Sequence, residues 1–282
     1  MRSAPSRRRF RGGLVLVALA LAACAPTPRG TAGRTTTTAR TATTAPAPTT
    51  TAPTIPVTPV QWAPCGALQC GTVTVPLNYA RPQAGTIRIA LARHPATDPA
   101  QRIGALVIDP GGPGASGVND LPQELRVLTP ELLARFDIVE FDPRGVERSD
   151  PVECSTHPQP PSAQGPLPDP VPTSSAAQQA LIANDKAYAA DCEKVSGGLL
   201  PYVGTVDAAQ DLDRVRLALG DAQLTFFGHS YGTLLGAVYA QMFPTHVRAM
   251  VLDGAIDPAM STTQMVVEQG RSFESVLNSF FS

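Results

Sequence analysis

Residues 223–236 read QLTFFGHSYGTLLG, and this stretch decides the fold. A short apolar run, Gln223 to Phe227, leads into G-x-S-x-G at Gly228, Ser230 and Gly232, and an apolar helical stretch, Thr233 to Met242, follows. Strand, small-residue turn and helix in that order are what the motif requires. The turn must be sharp enough to lift a Ser hydroxyl into the open, and only small residues two positions either side of it let strand and helix approach. Gly236 continues the close packing one turn later. Ser230 is therefore the candidate nucleophile.

Outward from the elbow, strand patterns alternate with helical ones. Gly71 to Leu77 and Thr86 to His94 read as strands, the second with Ile87, Ile89 and Leu91 alternating. Gly104 to Asp109, Phe136 to Phe141 and Val247 to Leu252 are short apolar runs suited to a parallel sheet buried on both faces. A helix is expected from a Thr205 N-cap to a Gly220 terminator, with Ala208, Leu212, Val215 and Leu219 on one face. Others are expected over Ser174 to Lys194, after a Pro-rich loop from Pro151 to Pro172, and over Ser261 to Phe281. The alternation predicts an α/β fold, a mostly parallel sheet with flanking helices and chemistry at the carboxyl ends of its strands.

A second motif follows the strand ending at Asp109: Gly111, Gly112, Pro113, Gly114, Ala115, Ser116 and Gly117. Acyl transfer builds negative charge on a carbonyl oxygen, which preorganised N–H donors must meet. The N–H groups of Gly112 and Tyr231 are the expected pair. A plain glycine turn or a phosphate loop is the alternative, but the P-loop Lys and the G-x-G-x-x-G spacing are both lacking.

GGPGASG, FDPRG, the Thr205 to Gly220 helix, FFGHSYGTLLG and VLDG, in this order, resemble the secreted tripeptidyl aminopeptidase branch of the α/β-hydrolases, related to proline iminopeptidases. The similarity runs over about residues 61 to 260 and includes WxPC and CGTVTVPLNYARP. It implies a serine hydrolase that releases short peptides or single residues from free amino termini, or cleaves small esters, with a helical lid that begins near residue 258. Glu147 in FDPRGVERSDP departs from the second Gly usual in that family. Asp142 and Arg144 are read as stabilising this turn rather than as catalytic.

Hydrolases of this fold supply the triad in the order Ser, acid, His. After Ser230 comes His246, which reads as a surface residue entering a strand at the wrong end; His229 neighbours the nucleophile too closely along the chain to deprotonate it. His94 and His157 precede the elbow, and Asp253 at a strand end is a conceivable acid with no base to orient. The expectation is an α/β-hydrolase core over 61–282 that stops at the start of the lid, the acid and base lying in residues beyond it. The competing reading is a silent surface lipoprotein that binds peptides or a partner.

The formal net charge of -1 conceals an asymmetry. Eleven basic and no acidic residues occur up to Arg93, so the remaining residues carry 22 - 11 = 11 basic against all 23 acidic ones. An acidic body argues against nucleic acid, whose phosphates demand clustered Lys and Arg. The basic leader reads instead as an export signal over residues 1–24: Arg7, Arg8, Arg9 and Arg11, an apolar stretch too short to span a bilayer, then Leu21, Ala22, Ala23 and Cys24 in lipobox order. Cys24 is the expected lipidation site, anchoring the chain at the outer face of a bacterial cytoplasmic membrane or cell wall, or releasing it from there. Ser6 to Phe10 also fits twin-arginine export.

A tether occupies residues 25–60. From Thr31 to Val60, 24 of 30 positions are Thr, Ala or Pro, too little large apolar surface to offset ordering. The other four cysteines suit an oxidising compartment, with Cys65 paired to Cys70 and Cys154 to Cys192. Zinc is the competing use, but no C-x-x-C or His spacing accompanies them. No metal or cofactor is implied.

Overall fold

A computed structural model describes residues 55–154 and 171–282. The export signal with Cys24, tether residues 25–54 and most of the Pro-rich loop, with His157, lie outside the described residues.

Seven strands form one sheet: β1 (Ala63–Cys65), β2 (Leu68–Pro76), β3 (Thr86–His94), β4 (Gly104–Asp109), β5 (Phe136–Phe141), β6 (Leu224–His229) and β7 (Val247–Asp253), in the order β1-β2-β3-β5-β4-β6-β7. The first pairings are antiparallel, and β5, β4, β6 and β7 are mutually parallel. Helices α1 (Gly117–Glu124) and α2 (Pro130–Arg135) connect β4 to β5; α3 (Ser175–Ser196) and α4 (Thr205–Ala218) precede β6; α5 (Tyr231–Met242) joins β6 to β7, and α6 (Thr262–Phe280) follows.

The apolar runs behave as doubly buried strands because successive side chains point to opposite faces. Ala105 and Val107 pack with Val139, Leu212, Leu235 and Tyr239 on one face. Leu106 and Ile108 pack with Leu121 and Ile138 on the other. Each buried Leu or Ile of these layers contributes about 2–5 kcal/mol relative to Ala.

Several boundaries shift for physical reasons. Gly204, not Thr205, is the N-cap of α4, because Thr205 Oγ1 is engaged 2.8 Å from the Tyr231 hydroxyl. The strand expected over Gly71 to Leu77 begins earlier, at Leu68, where β1 pairs with it across the Cys65–Cys70 link. Cys154 and Cys192 also stand at disulfide distance, with S–S 2.16 Å. Val60, in the segment whose composition reads as tether, is buried and donates its N–H to Ala218 O at 3.1 Å, while Arg214 bonds Ile55 O at 2.6 Å.

Register aligns the carboxyl ends, with Asp109 opposite Gly228 and His229 opposite Asp253. From β4 the chain moves to β5 on one side, and from β6 it moves to β7 on the other. The crevice between the ends of β4 and β6 is thus the topological switch point, where ligands of open α/β sheets bind.

Candidate active site

Ser230 sits at this switch point with φ 50° and ψ -116°, a left-handed conformation that a residue with a Cβ seldom adopts. The side chain is exposed. The flanking glycines are required by contact. A Cβ on Gly228 would overlap the Gly232 carbonyl, one on Gly232 would lie 2.5 Å from Asp109 O, and one on Gly236 would press on Leu252 and Phe226.

The elbow is pinned on both sides. Ser230 N–H donates to Asp253 O at 2.9 Å. Thr233 Oγ1 donates to Ser230 O at 2.6 Å and accepts Ile256 N–H at 2.9 Å, latching the loop after β7 to the elbow. No sequence signal singled out Thr233.

The glycine loop lies directly against the elbow. Gly111, at φ 93°, has no room for a Cβ between the His229 carbonyl and Tyr231 N. Its N–H is taken by Asp109 Oδ1 at 2.7 Å, and Ala115 N–H by Gly111 O. The N–H of Gly112 has no partner among the described residues, and that of Tyr231 is the first of α5, where helices leave donors unpaired. Burial pushes the Asp109 carboxyl up to about 6, against the lowering effect of the Gly111 N–H and the His229 charge.

Asp142 and Arg144 serve structure. Asp142 accepts from Ser116 Oγ at 2.5 Å, Val118 N–H at 3.1 Å and Arg148 N–H at 3.2 Å, tying the end of the glycine loop to the turn after β5. Arg144 makes two 2.6 Å bonds to Asp211 on α4 and donates to Leu77, Tyr202 and Pro76 carbonyls. Glu147 stands at φ 41°, a position suited to Gly, and the turn forms around it.

No histidine reaches the nucleophile among the described residues. His229 turns away, with Nδ1 3.4 Å from Asp253 Oδ2, Nε2 3.7 Å from Glu124 Oε1 and its ring against Phe227. His94 stands beside Ile138 near the start of β5, the opposite end of the sheet. His246 is more than a surface residue, since Nδ1 lies 2.8 Å from Asp213 and the ring stacks on Phe243. Asp253 is exposed and faces His229. The arrangement therefore holds a candidate nucleophile and candidate oxyanion donors, without a base in place among the described residues.

Residues 104–282 match the alpha/beta hydrolase fold family. The serine protease Hip1 of Mycobacterium tuberculosis is 39% identical over 235 residues, covering 79% of this chain and 44% of that protein. The tripeptidyl aminopeptidase of Streptomyces lividans is 40% identical over 228 residues, 76% of this chain and 42% of that one. Carboxylesterase B of Mycobacterium tuberculosis is 37% identical over 216 residues, 75% and 41% respectively. The chain thus spans less than half the length of these relatives. Among solved structures, the thioesterase domain from the curacin biosynthetic pathway aligns with TM-score 0.38 at 16% identity, covering 78% of this chain and 53% of that one.

Proposed function

The chain belongs to the alpha/beta hydrolase family, and on that premise we propose that it carries the nucleophile and oxyanion hole of an exported serine aminopeptidase. The observation that carries this reading is the strained, exposed Ser230 set against the glycine loop, with the N–H groups of Gly112 and Tyr231 left for an oxyanion. A strained backbone of this kind persists only where the surroundings enforce it, and catalysis is its usual use. Relatives named serine protease and tripeptidyl aminopeptidase support peptide bonds as the substrate class. The relative named carboxylesterase keeps small esters beside them.

In this mechanism Ser230 Oγ attacks the scissile carbonyl, its proton passes to a base, and the carbonyl oxygen gathers charge between the two backbone donors. Losing one such donor costs about 3 kcal/mol of transition-state stabilisation. The acid and base come from residues outside this chain. Support for that lies in the relatives, of whose length this chain spans less than half. Cys24 carries the lipid anchor, and the two disulfides fit an oxidising exterior.

A fluorophosphonate probe tests the nucleophile. Labelling of the chain that disappears in Ser230→Ala supports the reading, and, because the base comes from residues outside this chain, absence of labelling in a form that carries those residues overturns it. The lack of a histidine near Ser230 among the described residues favours the second reading, a silent peptide-binding lipoprotein, and that outcome would leave it standing. Comparing a tripeptide amide with a free amino terminus, its N-acetylated form and a simple ester then separates aminopeptidase from esterase. Metabolic labelling with a palmitate analogue, lost in Cys24→Ala, tests the anchor.

A further inference from the structure

Beside the elbow, on the face covered by α1, three acids converge. One carboxylate oxygen from each of Asp120, Glu124 and Glu140 lies within 4.8 Å of the others. Glu140 projects from the middle of the sheet and is wholly buried, and neither of its oxygens finds a hydrogen-bond donor among the described residues. Glu124 is 8% exposed and its Oε1 is equally unpartnered, facing the unpartnered Nε2 of His229 at 3.7 Å.

No structural economy explains this cluster. Asp120 and Glu124 stand at i and i+4 on one helix face, where like charges repel, and Glu124 occupies the carboxyl end of α1, where the helix dipole disfavours an anion. Three of the other buried acids are provided for. Asp137 has Arg93, Arg102 and the Ala96 N–H, Asp211 has Arg144 and Tyr79, and Asp142 has Ser116 and Val118. No Lys or Arg pairs with any of the three among the described residues. A buried carboxyl without donors is either held neutral or compensated by something positive, and three that converge form a ready set of oxygen ligands.

We propose that Asp120, Glu124 and Glu140 bind one calcium ion. The donors are hard carboxylate oxygens within 4.8 Å of one another, separations that calcium–oxygen bonds of about 2.3–2.6 Å can bridge, and calcium tolerates irregular ligand geometry where magnesium demands a near-ideal octahedron. The ion bridges α1 to β5 just after the glycine loop, and so fixes the segment that begins at Ser116. This assignment stands apart from the hydrolase reading, since it needs no activity to be true.

Titration of the metal-free full chain with calcium chloride by calorimetry is expected to show one saturable site, with calcium raising the melting temperature. Glu140→Gln and Glu124→Gln are each expected to lower affinity at least tenfold, while Glu268→Gln, on the exposed face of α6, leaves it unchanged. The two glutamine variants keep side-chain shape and remove repulsion, and circular dichroism checks that they fold. Absence of saturable binding, or binding of equal strength in both site variants, overturns the proposal. Magnesium binding as tight as calcium overturns the choice of ion.

Discussion

Gly111 packs so closely beneath the His229 carbonyl oxygen that no side chain fits between them. The contact joins the glycine loop to the elbow that carries Ser230, and it exists because β4 and β6 are neighbours in register. Gly111→Ala must both adopt φ 93° with a Cβ and push the loop off the elbow. A loss of stability on the order of 3 kcal/mol is expected by urea denaturation. Gly114→Ala, where a Cβ meets nothing, should incur only the conformational part.

Thr233→Val removes the hydroxyl that bonds Ser230 O and accepts Ile256 N–H while keeping the side-chain shape. Leaving those groups unpaired should cost about 1–3 kcal/mol. If the latch also orients the nucleophile, fluorophosphonate labelling of Ser230 should slow beyond what the stability loss predicts.

Arg144→Met leaves Asp211 buried without its guanidinium, a change expected to cost about 3–5 kcal/mol. The double variant Arg144→Met with Asp211→Leu should recover part of that loss, because no uncompensated charge remains. Chemical denaturation of the two singles and the double completes the cycle.

Stability should respond to pH in two opposed windows. Folding raises the Asp109 carboxyl from 3.8 to about 6, so its contribution is fully present below the unfolded value and is lost as pH rises through about 6. Asp137 behaves oppositely. Burial would raise it, but the Arg102 hydrogen bond, the Ala96 N–H and the charges of Arg102 and Arg93 outweigh burial and leave it lowered. Its contribution is present above the unfolded value and is lost as pH falls through the depressed folded one. Melting temperatures from pH 8 to pH 2 should show both limbs, with Asp109→Asn flattening the upper and Asp137→Asn the lower.

Much of the scaffold was legible because it is written locally. The period-two apolar positions of β3, the uninterrupted runs of β4 and β5 and the glycines around Ser230 each state a backbone requirement within a few residues of themselves. The N-cap of α4 was misplaced by one residue, because Thr205 looks like a cap by its chemistry while its hydroxyl serves Tyr231 from a neighbouring helix. His246 stands at the surface as expected, but its pairing with Asp213, 33 positions away, had no local signal.

By itself, the sequence determined the strand and helix alternation, the elbow and the glycine loop, all consequences of short-range pattern. Tertiary structure alone decided that Gly111 packs against the His229 carbonyl, that Thr233 latches the loop carrying Ile256 to the elbow, that Arg144 clasps Asp211 and that Asp120, Glu124 and Glu140 meet. Those relationships depend on which strands lie side by side and in what register, and pairing between segments scores of residues apart leaves no mark on the local order of side chains.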